Sequence, residues 1–168
     1  EPGCRNCPQC GAAKPRANTS ASLLVREWSP SRGRLLHHIL FDCGMGVTDS
    51  LLDAGIHDAS AVFVSHSHID HFLELDRSAN GWRRSGRPAP DLYCTPGTFA
   101  DGPGRVFPWL FPNAVVHRPA AYGVPIIPVS GLALKVTPVE VWHGPVVHEP
   151  AIWVVEFGDA ERGTARKL

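Results

Sequence analysis

Nowhere does this sequence reach the ~18 consecutive apolar residues of a membrane-crossing helix, and no basic-then-apolar leader opens it. Both absences point to a soluble protein, and the expected compartment is the cytoplasm. A surplus of charge is missing too, since 16 Lys and Arg balance 16 Asp and Glu. Proteins that hold nucleic acid mainly through its phosphates carry a basic excess or a basic stripe, so the balance argues against that class. Arg83, Arg84 and Arg87 are the one close basic group and read as a solvated loop. Cysteine is sparse: five residues without a secretion signal do not make a disulfide framework. With 168 residues, 43% of them hydrophobic, the chain can build one domain with its own core, and nothing marks a second.

What the chain does have is a concentration of imidazoles. Residues 61–64, Ala-Val-Phe-Val, form an apolar β-type run that opens into His66-Ser67-His68-Ile69-Asp70-His71. Side chains two positions apart at a strand end point the same way, so His66 and His68 would face one point. Asp70 and His71 begin what reads as a helix through Phe72-Leu73-Glu74-Leu75, from which they can return to the same pocket by the opposite rim. A lone histidine is ordinarily a satisfied or exposed ring. Four potential ligands within six residues, at the edge of a core, instead leave polar groups without partners unless something binds them. Their arrangement suits a pair of divalent metals about 3.5–4 Å apart, a spacing used for hydrolysis at phosphorus or carbonyl centres.

Cys4, Cys7 and Cys10 form Cys-x-x-Cys-x-x-Cys within residues 1–11, a tight loop suited to wrapping an ion. Three thiolates bind zinc well, but a closed structural site needs a fourth ligand, which must come from elsewhere. A disulfide plus a free thiol, or unpaired cysteines, are the competing readings. Residues 22–28 and 35–41 read as a hairpin across a turn at 30–33, with His37 and His38 on alternate faces and both structural. Asp42 at the strand end is open to ordinary turn chemistry, and Cys43 reads as a small buried hydrophobe. Residues 46–54 suggest a helix with Val47, Leu51 and Leu52 on one side, ended by Gly55, with His57 exposed beyond it. Residues 78–90 read as a loop rich in arginine, glycine and proline, and 91–96 as a short strand. The aromatics of 97–122 suit a lid or satellite core, and 124–129, 132–141 and 152–157 are the remaining strands.

The motif at 66–71 has the His-x-His-x-Asp-His form of the metallo-β-lactamase fold hydrolases, and Leu40-Phe41-Asp42-Cys43-Gly44 resembles the strand-Asp-x-Gly segment upstream in that family. Within the family the chain resembles the cyclic phosphodiesterases of phosphonate breakdown and the B protein of pyrroloquinoline quinone biosynthesis. They share a cysteine knuckle ahead of the first long strand, matched better by Cys7 and Cys10 than by Cys4, and the B protein resembles Tyr93-Cys94-Thr95-Pro96. The tRNA 3′-processing endonucleases are similar around 41–44 and 66–71.

The resemblance implies an α/β fold, a metallo-β-lactamase αββα sandwich, forming a single domain over 1–168. It implies one or two zinc ions in a groove at one edge, with manganese or iron as alternatives, and one structural zinc at Cys4, Cys7 and Cys10. His143, which follows Val136-Thr137-Pro138 and a strand end, is a weak candidate by itself; the resemblance makes it the third imidazole with His66 and His68, and His148 the fallback. Asp70 and His71 become ligands of a second metal and the catalytic pair, and Asp42 an orienting group beneath the site; Trp82 and Arg83 fall where loops border the groove in the family, with surface packing the preferred reading of both. The implied activity is that of a metal-dependent phosphodiesterase using a metal-activated water, with a small-molecule phosphodiester as substrate; a homodimer is one assembly open to the chain. Nucleic acid is the less expected partner. Lactone, thioester or β-lactam hydrolysis is the rival within the fold, and zinc binding without turnover the rival outside it. Family members continue with a strand ending in a metal-bridging aspartate and a later histidine, neither present before Leu168. The resemblance therefore implies a member truncated at its C-terminus, with a weak second-metal site that can leave it inactive.

Overall fold

The computed structural model describes residues 23–29, 34–130, 134–159 and 164–167. Cys4, Cys7, Cys10 and the turn expected at 30–33 lie outside these residues.

Strands β1 (Leu23–Ser29) and β2 (Arg34–Phe41) pair antiparallel, as the hairpin reading expects. Beyond β2 the pairing turns parallel through β3 (Ala61–Phe63), β4 (Asp91–Cys94) and β5 (Val116–Pro119), giving a first sheet in the order β1-β2-β3-β4-β5. A second, antiparallel sheet holds β6 (Leu134–Glu140), β7 (Ala151–Asp159) and β8 (Thr164–Lys167).

Period-2 alternation sorts the strand side chains into two cores. Leu40, Val62, Val64, Leu92 and Cys94 pack toward helices α1 (Val47–Asp53) and α2 (Leu75–Arg84), while Ile39, Phe41, Ala61 and Phe63 meet Leu134, Val136 and Val155 of the second sheet. Phe63 is the joint between the sheets, stacked on Phe41 and Tyr93 with ring centroids 4.9 and 4.8 Å away and edge-on to Trp153 at 4.9 Å. Strand β3 is thus covered on both faces, which is why its sequence is continuously apolar.

Several sequence expectations change. Residues 78–90 are not all loop: α2 runs to Arg84, burying Leu75, Ser78, Ala79 and Trp82 at helical spacing. Gly81 and the paired arginines disguise that stripe in the sequence, although a glycine inside a helix costs only about 1 kcal/mol. Trp82 therefore belongs to the core rather than to a groove. The helix expected from Asp70 begins only at Leu75, after a single 3-10 turn over Ile69–His71. In α1 the buried positions are Val47, Thr48 and Leu51, and Leu52 faces solvent. Of the two readings of residues 97–122, lid or satellite core, the structure takes the core. These residues form helices α3 (Pro96–Asp101) and α4 (Pro103–Val106), a 3-10 turn and β5, and Phe107 and Leu110 enter the helix-side core with Phe99 and Phe111 packed against it. The strand expected at 124–129 reduces to one bridge, Ile126 to Val136, with Val124 and Ile127 exposed on either side of it. Beyond the last strand expected, at 152–157, strand β8 pairs with β7.

His37 and His38 act as structural groups: His38 Nδ1 lies 2.6 Å from Asp58 and His37 Nδ1 3.1 Å from Ser60 Oγ. Among the described residues no helix is long and apolar enough to cross a membrane.

Candidate metal centre

The first half of the site is made by where β3 stops. Val64, fully buried, still donates its N–H to the Tyr93 carbonyl, and only past it does the chain leave the sheet. His66 is buried at that edge and His68 is exposed beside it, with His66 Nε2 3.1 Å from His68 Nδ1. The second half comes from the loop between β6 and β7. It brings His143 Nε2 to 3.4 Å from the same His68 Nδ1.

One ligand nitrogen from each of His66, His68 and His143 lies within 4.8 Å of the other two. Nitrogens bound tetrahedrally to zinc at about 2.0–2.1 Å stand roughly 3.3 Å apart. Both short separations match that edge. A proton on His68 Nδ1 would have to be shared between two facing nitrogens, whereas one divalent cation can accept a lone pair from all three. Burial, followed by the facing imidazoles of His71, His143 and His68, lowers the pKa of His66 to about 4. His66 is then neutral at ordinary pH, as a ligand must be.

Asp70 and His71 stand outside this group of three. His71 turns Nδ1 to Asp42 Oδ2 at 2.8 Å and leaves Nε2 3.8 Å from Asp70 Oδ2, while its ring centroid is 4.0 Å from that of His66. The hydrogen bond to Asp42 raises the His71 pKa against the effect of burial. Asp70 itself is exposed. Asp42 reaches beneath the site because its φ of 59° places it in the left-handed region, where aspartate is tolerated better than most residues. Its Oδ1 accepts the Ser65 N–H at 2.8 Å and its Oδ2 accepts the Ser65 hydroxyl at 2.9 Å.

The loop carrying His143 is fastened by a residue that sequence reasoning missed. Glu149, with φ of 50°, accepts the Gly97 N–H on Oε2 at 2.6 Å, and its carbonyl accepts the Thr95 and Thr98 hydroxyls at 2.6 and 3.1 Å. Tyr122 donates to the Pro150 carbonyl at 3.0 Å, and Ala151 N–H donates to the Ser65 carbonyl at 2.8 Å, joining the two halves directly. His148 pairs with Asp101 at 2.6 Å and is not in the triad. Ser65 was also missed; its position immediately before the motif was the available signal. Cys43 is fully buried in the helix-side core, where desolvation pushes its thiol up to about 12, as the reading of a small buried hydrophobe expects.

The model of the beta-lactamase superfamily domain matches residues 37–163. The crystal structure of a diphosphatase from the PhnP family is 26% identical with a TM-score of 0.66, over 93% of this chain and 55% of that one. The metallo-beta-lactamase fold protein YhfI from Bacillus subtilis, 17% identical, has a TM-score of 0.59 over 84% of this chain and 51% of its own, a likeness of fold. In sequence, ribonuclease Z of Methanosarcina mazei is 37% identical over 89 residues, 48% of this chain and 28% of that protein. The chain spans less than two thirds of the length of each of these relatives.

Proposed function

The chain belongs to the beta-lactamase superfamily, and from that premise we propose that it is a metal-dependent hydrolase acting on a phosphodiester. The convergence of His66, His68 and His143 carries the reading. Its phosphodiester half is supported by the similarity to the PhnP-family diphosphatase and to ribonuclease Z.

His66 Nε2, His68 Nδ1 and His143 Nε2 would hold the first ion. An all-imidazole set with an open fourth position suits zinc. Asp70 and His71 would contribute to a second ion. When bound, the metal supplies a water of near-neutral pKa and withdraws charge from the substrate oxygen. The rest falls to the chain. His68 and His143 are exposed, which leaves a side of the site open to substrate. Asp70 is an exposed carboxylate beside His71, able to accept a hydrogen bond from the attacking water and fix its direction. Asp42 holds His71 from beneath.

A second reading, zinc binding without turnover, is favoured by the grouping of the three imidazoles apart from Asp70 and His71. Zinc content per chain, measured together with turnover of bis(4-nitrophenyl) phosphate and of a cyclic nucleotide, separates the two. Bound zinc with phosphodiester cleavage is the expected result. Bound zinc with no cleavage leaves the holding protein, and a chain that binds no divalent metal overturns both.

A further inference from the structure

Ser65 lies between the Asp42 carboxylate and two imidazoles. Its Oγ is 2.9 Å from Asp42 Oδ2, 3.0 Å from His66 Nδ1 and 3.2 Å from His71 Nδ1, while its N–H holds Asp42 Oδ1 at 2.8 Å. These contacts can be satisfied in only one consistent way. An ionised carboxylate accepts and never donates. The single hydroxyl proton of Ser65 must then go to Asp42 Oδ2, and His71 Nδ1, 2.8 Å from that same oxygen, must carry its own hydrogen. With its proton committed, Ser65 Oγ can only accept at 3.0 Å, so the hydrogen of His66 also sits on Nδ1. Both Nε2 atoms are left as bare lone pairs, His66 toward His68 and His71 on the side of Asp70.

We infer that Asp42 sets the tautomer of both rings, His71 by direct contact and His66 through the Ser65 hydroxyl, which makes Ser65 a positioning residue shared by both halves of the site. The significance of this wiring for metal binding rests on the reading of His66, His68 and His143 as ligands. The wiring itself does not, because a tautomer can be read without any metal.

Asp42→Asn tests the relay in a way that simple loss of packing cannot imitate. Asparagine tolerates the left-handed backbone at this position. Its carbonyl oxygen would keep the Ser65 N–H, placing its amide NH2 where Oδ2 was. That NH2 donates to His71 Nδ1 and to Ser65 Oγ, and the released hydroxyl proton turns to His66 Nδ1. Both rings should therefore switch from Nδ1–H to Nε2–H. Long-range nitrogen–proton correlation spectra of the metal-free 168-residue chain, recorded at alkaline pH, distinguish the two forms.

The wild-type spectrum should show Nδ1–H for His66 and His71. Asp42→Asn should move both to Nε2–H, Ser65→Ala should release His66 alone, and Ser65→Thr should restore it. Zinc affinity should fall about 10–100-fold in Asp42→Asn and recover in Ser65→Thr relative to Ser65→Ala. A wild-type spectrum with either ring as Nε2–H overturns the relay without any variant having to fold. So does an Asp42→Asn spectrum in which both rings stay Nδ1–H. Correct tautomers in a chain that binds no zinc would leave the wiring intact and sink the metal reading instead.

Discussion

The two halves of the candidate centre are held by different forces. His66 and His68 emerge from β3, whose residues are buried on both faces between the helices and the second sheet. His143 rides on the 141–150 loop, where Trp142 is 86% and Val146 78% exposed, and a handful of hydrogen bonds around Glu149 and Pro150 fasten it. Buried apolar packing is distributed over many weak contacts, so one side is hard to move by any single polar change. A loop fastened by a few polar bonds is the side where affinity can be tuned.

Five experiments would break or sharpen that contrast. His68 offers the nitrogen that both halves approach, and His68→Ala should abolish metal binding and any hydrolysis with it. Zinc retained at wild-type stoichiometry would mean that the halves do not converge on a common ion. Phe63→Ala, at the joint between the sheets, should cost about 3–5 kcal/mol in urea unfolding. A loss well under 1 kcal/mol would show that the β3 half is not held by packing.

Glu149→Gly removes the carboxylate contact while glycine accepts the φ of 50° without strain, and should lower stability by about 1 kcal/mol. Hydrogen exchange should accelerate across 141–150 and stay unchanged at 61–64; equal acceleration in both would erase the distinction. Glu74 probes the packed side by pH. Burial acts to raise its carboxyl pKa, but the N–H donors of Thr48 and Gly46, at 2.7 and 2.8 Å, outweigh it and hold the value below the usual range. A depressed carboxylate stabilises the fold above its unfolded pKa, and that stability disappears as pH falls through the folded value. Glu74→Gln should therefore lose about 1 kcal/mol near neutrality and show a shallower decline in acid than the parent. A parallel decline in both proteins would refute the assignment. Trp142→Ala, at an exposed position, should change stability by less than about 0.5 kcal/mol. A larger loss in thermal unfolding would mean that the loop has packing of its own.

The sequence made some of this legible, and particular residues show why the rest was not. The stripe of Leu75, Ser78, Ala79 and Trp82 was present in α2, but two of its members are small, and Gly81 with the following Arg83 and Arg84 looks like loop. The aromatics of 97–122 were visible, yet whether Phe107 and Leu110 form a flap or a core depends on the helix-side layer they meet. Ser65 and Glu149 are ordinary residues until their partners are known, and the carboxylate of Glu149 finds its donor 52 residues away.

By itself the sequence determined what depends on near neighbours: the apolar β3 run, the closeness of His66 and His68 just past its end, and the crowding of Asp70 and His71 behind them. Only the tertiary structure decided which other histidine joins them. His143 meets His68 across a separation of 75 residues, while His148, close by in sequence, turns to Asp101 instead. The order of residues just past a strand end is a local property, which a short segment carries within itself. The approach of the 141–150 loop follows from two sheets closing on Phe63, and that closure belongs to the packed chain as a whole.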